Sequence, residues 1–287
     1  TLGGGPRATT LEVAIYQALR FDFDPARAVT LTVLQIFLTA GIVLILIRLG
    51  ANMAGDANLS VSPRRPITSG PVERIFSAVL IFAALAFVAG PMVAVAISGL
   101  QADLVRLAAD PAVHAATLTS LTLAFCAAVL SLALSLSLVM ARRTLELRRH
   151  RNTAPSLLER LFDTGAGFVL VIPPIVLGAG WFVLMRNTGM VFTVAPLMVI
   201  SVNAIMAMPF AIRAIRPAYD AASARHERLA ASLGIAGMNR LRLIDWPALR
   251  RPLFMAMAFA MALSLGDLGV IALFGSDSVQ TLPYLLL

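Results

Sequence analysis

The sequence predicts an all-α fold that crosses a lipid bilayer several times. Three observations predict it. Of the 287 residues, 59% are hydrophobic and only 13% charged, and the mean hydropathy of +0.86 exceeds what a chain with a water-facing surface carries. Six separate stretches stay apolar for about 20 residues, the length a helix needs to cross a ~30 Å hydrocarbon layer. The basic residues, all of them arginine, bunch in the connections between these stretches.

In chain order the predicted spans are 28–47, 75–97, 118–140, 165–185, 190–212 and 253–274. Several hold helix breakers: Gly90-Pro91, Pro173-Pro174, Pro196 and Pro209. Such residues are tolerated in lipid-embedded helices when neighbouring groups satisfy the freed backbone. Residues 50–71, with Gly55, Pro63, Pro66, Gly70 and Pro71, are polar and broken enough for a linker.

Taking alternate connections, eighteen arginines fall on one side of the bilayer and five on the other. The richer side is expected to be cytoplasmic. It holds Arg142, Arg143 and the loop 219–252. The formal net charge of +8 therefore reflects membrane orientation and not a nucleic-acid partner, whose recognition would need a continuous basic surface.

A shift of 271 positions brings Leu2, Gly4, Thr10 and Leu11 onto Leu273, Gly275, Thr281 and Leu282. This is the mark of an internally repeated transporter. Together with a start at Thr1 and an end inside an apolar run, it leads us to expect a fragment of a two-unit protein. Residues 1–49 would close the first unit with its last membrane helix, 50–74 would be a cytoplasmic linker, and 75–287 would be a second unit lacking its final helix.

Enzyme chemistry finds little support. The chain has no lysine, so a phosphate-binding loop that needs one cannot be built. His114, His150 and His226 lie in three different connections, and Ala230 stands where a zinc-protease motif opened by His226-Glu227 would need its second histidine. Cys126 is the only cysteine. No metal site, catalytic site or cofactor is expected.

The informative stretch is the inner loop. Arg228-Leu229-Ala230-Ala231-Ser232-Leu233-Gly234 is followed after nine residues by Ile244-Asp245-Trp246-Pro247. Leu229, Ala230 and Leu233 recur at helical spacing, Gly234 suits a left-handed cap, and Ile235, Met238 and Leu241 begin a second apolar stripe. Two short helices meeting at Gly234 are expected. An amphipathic segment lying on the anionic inner leaflet has the same general pattern. The stretch resembles the EAA loop of ABC importer permeases, with Ala230, Gly234, Ile244 and Pro247 at that family's spacing. Arg228 replaces its glutamate, Leu229 its first alanine and Trp246 its leucine. The resemblance implies that Arg228, Leu229, Ala230, Leu233, Gly234, Ile235, Ile244 and Pro247 form the segment that couples to a pair of ATPase subunits.

Residues 220–287, with Gly266-Asp267-Leu268-Gly269 at the heart of the run 266–275, and residues 1–19 at the other end, resemble the permeases of bacterial thiamine importers, relatives of ferric-iron permeases. This implies a multi-pass protein of the bacterial inner membrane that moves thiamine, supplied by a periplasmic binding protein. Ferric iron or another small solute is the alternative within the class. An ion-coupled secondary transporter is the alternative outside it.

Asp267 is the one acid within a predicted span. An ionisable group at that depth must find water, a partner or a substrate, or else cap a helix at a bend made by Gly266 and Gly269. Asn203 and Trp181 could line a path for an aromatic cation, or serve as ordinary helix contacts and interface anchors.

Overall fold

A computed structural model describes residues 10–22, 24–48, 70–101, 103–148, 156–157, 169, 172–191, 193–235, 237–274 and 280–286. Every regular element among them is helical. The linker expected over 50–74 lies, up to residue 69, outside the described residues, as does most of the first part of the fourth predicted span.

The chain forms two compact units, Ala54–His114 and the remainder, Thr1–Met53 with Ala115–Leu287. In the smaller unit, α3 (Pro71–Leu100) opens with Pro71 at its N-terminus and runs unbroken through Pro91. The short α4 (Leu104–Ala109) is capped by Asp103, whose carboxylate accepts from the Arg106 amide at 3.1 Å.

In the larger unit, α1 (Leu11–Arg20) is capped by the Thr10 hydroxyl, which accepts from the Val13 amide. It was invisible to a search for spans because it is too short to cross a bilayer. Next come α2 (Pro25–Arg48), α5 (Pro111–Arg148), α6 (Pro174–Met185) and α7 (Ala195–Ser232). A single turn, α8 (Gly237–Arg240), leads through a π-helical turn at Leu241–Asp245 into α9 (Trp246–Leu265), and α10 (Gly269–Phe274) follows. Four described helical runs are long and apolar enough to cross a membrane: Pro71–Leu100, Pro111–Leu147, Ala195–Glu227 and Gly237–Leu265.

Several boundaries differ from those the sequence predicts, and two of them bear on the site. The fifth span, predicted over 190–212, does not stop at Ile212: α7 continues to Ser232 through Pro217, because the polar residues after Tyr219 keep good helix propensity and find partners on α5. The sixth span is not one helix. It breaks at Leu265, and α10 restarts at Gly269. The run 266–274 is apolar enough to read as a continuation, but two glycines within four positions weaken the helix there.

Packing is set by small residues. On α5, Ala124, Ala128, Ser131, Ser135 and Val139 are buried at three- and four-residue spacing, one face of a helix. Ala128 meets Ala207 of α7 and Ala260 of α9 in one buried cluster, flanked by Met257 and Met261. With small side chains between them the backbones of α7 and α9 approach closely, which is how membrane helices gain contact when lipid removes the hydrophobic drive. A second cluster joins Val139, Ala211, Ile212, Ile215, Tyr219, Leu249 and Ala256 from the same three helices. A third, around Phe274, Val270, Val199, Val202 and Val176, knits α1, α6, α7 and α10.

Candidate functional site

The loop that the sequence singles out is an elbow. The first arm is the end of α7, and Gly234 follows it at φ +62°. The Ile235 amide donates to the Ala230 carbonyl at 2.9 Å, the six-to-one bond of a Schellman cap that satisfies a carbonyl left over at the helix end. Gly237 takes φ +58°, so the chain turns twice within four residues as α8 begins. Glycine bears both turns because a left-handed backbone costs other residues on the order of 1 kcal/mol. The arms are therefore not two short helices: each is continuous, or nearly so, with a membrane helix.

The elbow divides its residues by face. Ala230 is buried, Ile235 and Ile244 are half-buried, and Leu229, Leu233, Gly234 and Pro247 are exposed. Met238, Leu243 and Trp246 add to the exposed apolar surface. Leu233 is 64% exposed and Met238 74% exposed. The Arg228 backbone belongs to α7; its side chain is outside the described residues.

Asp245, which precedes the sixth predicted span, is buried beneath the elbow, with Arg240 Nε at 3.9 Å. Arg240 also donates to the Ser223 hydroxyl at 3.1 Å, tying the second arm back to the first.

Sequence reasoning missed an ion-pair cluster beside this elbow. Arg142 at the end of α5 pairs with Asp220 of α7 at 3.2 Å, and Arg143 pairs with Glu227 of α7 at 3.1 Å and with Glu146 at 3.1 Å. The signal was there: Asp220 and Glu227 lie seven residues apart on one face of a helix, opposite two adjacent arginines that orientation alone seemed to explain.

The second group of predicted residues lies at the break between α9 and α10. The Asp267 carboxylate accepts from the Val270 amide at 3.3 Å, so it caps α10, and its second oxygen is buried with no hydrogen-bond partner among the described residues. Asn203 of α7 lies alongside this carboxyl and donates to the Ser264 hydroxyl at 2.9 Å. The fold thus gathers Asn203, Ser264 and Asp267. Trp181 is not among them. It lines a shallow hollow of about 250 Å³ on α6 with Val176, Leu177, Gly180 and Leu184.

No family model matches the chain. Three proteins, each named thiamine transport system permease protein ThiP, are similar to it along all of its length. The one from Brucella suis biovar 1 (strain 1330) is 56% identical over 287 residues, that from Escherichia coli (strain K12) 40% over 286, and that from Haemophilus influenzae (strain ATCC 51907 / DSM 11121 / KW20 / Rd) 34% over 289. The chain spans 51–52% of each of these relatives. From its first residue to its last, the chain is homologous to about half of a thiamine transport system permease protein.

Proposed function

We propose that this chain is part of the membrane subunit of an ATP-driven importer in a bacterial inner membrane, moving thiamine and carrying no ATPase site of its own. The observation that carries the reading is the elbow at Gly234. It stands at the arginine-rich end and presents Leu229, Leu233, Met238 and Leu243 outward on arms continuous with membrane helices. An ATPase subunit gripping this elbow would pull directly on α7 and α9. A segment merely lying on lipid would have no need of so rigid a double turn.

The partners in this reading are a pair of ATPase subunits at the elbow and a periplasmic binding protein on the opposite side. Thiamine as substrate is supported by the names of relatives that are similar along the whole chain. Asp267 with Asn203 supplies a polar point between α7, α9 and α10 that suits a cationic solute on its way through. In domain terms, 1–49 closes one permease unit, 50–74 is a cytoplasmic linker, and 75–287 belongs to a second unit.

The test is ATP hydrolysis by the full-length permease with its ATPase subunits in proteoliposomes. Thiamine-loaded binding protein should stimulate hydrolysis and drive uptake. Uptake that proceeds without ATP and follows an ion gradient would establish the secondary-carrier reading instead.

A further inference from the structure

We propose that Arg142 and Arg143 are positioning residues of the coupling arm, forming with Asp220 and Glu227 an ionic clasp that passes movement of the Gly234 elbow into α5. The elbow itself belongs to α7 and α8, so without such a link α5 would receive its motion only through apolar packing. The inference rests on the importer reading and assigns α5 a part in it.

The clasp has two teeth. Arg142 holds Asp220 at 3.2 Å and Arg143 holds Glu227 at 3.1 Å. The acids are seven residues apart, about two turns of α7, so the two bonds together fix rotation as well as sliding. Arg143 also meets Glu146 at 3.1 Å, Arg142 meets the same carboxylate at 3.7 Å, and Arg216 meets Asp220 at 3.8 Å. The acids are thus shared and held from more than one side.

Its place in the fold is equally specific. The apolar cluster that joins α5 to α7 takes its last α7 member from Tyr219, and the ion pairs begin at the next residue. Ser223, between the two clasp acids, is where Arg240 ties down the second arm of the elbow. All three tethers fall within residues 220–227.

Membrane orientation does not account for this arrangement. Orientation is served by arginine alone, and acids contribute little to it. The side chains of Arg142 and Arg143 are only 15% and 18% exposed, so salt screens these pairs less than it screens pairs at an open surface.

The experiment uses the full-length permease assembled with its ATPase and binding protein in proteoliposomes, and reads thiamine moved per ATP hydrolysed. Arg143→Glu, Arg143→Gln and Glu227→Arg should each lower that ratio about threefold or more, while the charge swap Arg143→Glu with Glu227→Arg restores it to within about twofold. Insertion and retention of the ATPase subunit should be unchanged. A merely structural role would lower protein yield and total activity together and leave the ratio alone, and that result, or a swap that fails to rescue, overturns the proposal. A wild-type complex whose hydrolysis ignores the loaded binding protein overturns the importer reading and the clasp's role with it. A stimulated wild type with unaltered single variants overturns the clasp alone.

Discussion

Asn203 on α7 donates to the Ser264 hydroxyl on α9 at 2.9 Å, a side-chain bond between buried residues 61 positions apart. It joins the two helices at the level where α9 ends and the chain bends towards α10. Interhelical bonds of this kind contribute about 0.6 kcal/mol on average in membranes, with a ceiling near 1.7. Asn203→Ala and Ser264→Ala should each destabilise the protein, and the double variant should cost less than the two together by about that amount. Reversible unfolding in mixed micelles measures the cycle. Strict additivity would show that the bond contributes nothing.

Gly234→Val should uncouple the elbow. A Cβ built there meets nothing within 4 Å, so crowding is no obstacle. The obstacle is φ +62°, which costs a β-branched residue on the order of 1 kcal/mol or more and turns the second arm away. The variant should insert normally, lose uptake, and retain its ATPase subunit poorly on co-purification. Gly234→Asn, whose side chain tolerates the left-handed region, should keep most activity. Full uptake and full ATPase retention by Gly234→Val would remove the elbow from the coupling path.

Gly178 and Gly180 sit two residues apart on α6 and should respond differently. A Cβ at Gly178 would stand 3.1 Å from the Leu273 side chain and 3.5 Å from Phe274, whereas one at Gly180 meets nothing within 4 Å. Gly178→Val should cost about 1–3 kcal/mol through overpacking against α10, and Gly180→Ala should leave thermal stability unchanged. Equal melting temperatures for the two variants would contradict the close α6–α10 crossing.

Asp267→Asn tests charge separately from capping. The amide retains an oxygen that can accept from the Val270 amide, so the start of α10 should persist. Thiamine uptake by a biosynthetic auxotroph at limiting vitamin should nevertheless fall, because the charge offered to a cation is gone. Asp267→Ala should also lose the cap, at a further cost of about 1 kcal/mol. Unchanged uptake by Asp267→Asn would leave Asp267 with its capping role only.

Orientation is open to reporter fusions. With eighteen arginines against five, alkaline phosphatase fused after Gln101 should be active and the same enzyme fused after Arg149 should not. Activity at Arg149 with none at Gln101 would invert the topology and put the elbow on the wrong side for any ATPase.

Much of this architecture was legible from residue order. Spans follow from run length because lipid demands a nearly unbroken apolar helix, and the left-handed turn at Gly234 follows from a glycine closing an apolar helical stripe. What the sequence left undecided is who meets whom. Arg142 and Arg143 read as orientation charges until the fold set them against Asp220 and Glu227, 78 and 84 positions away. The bend at Asp267 was only one of the readings that Gly266 and Gly269 offered within a run apolar enough to pass for one span, and the length of α7 was masked by polar residues that look like loop. Each of these depends on contacts between distant segments, and local propensity cannot report a partner that only tertiary packing brings within reach.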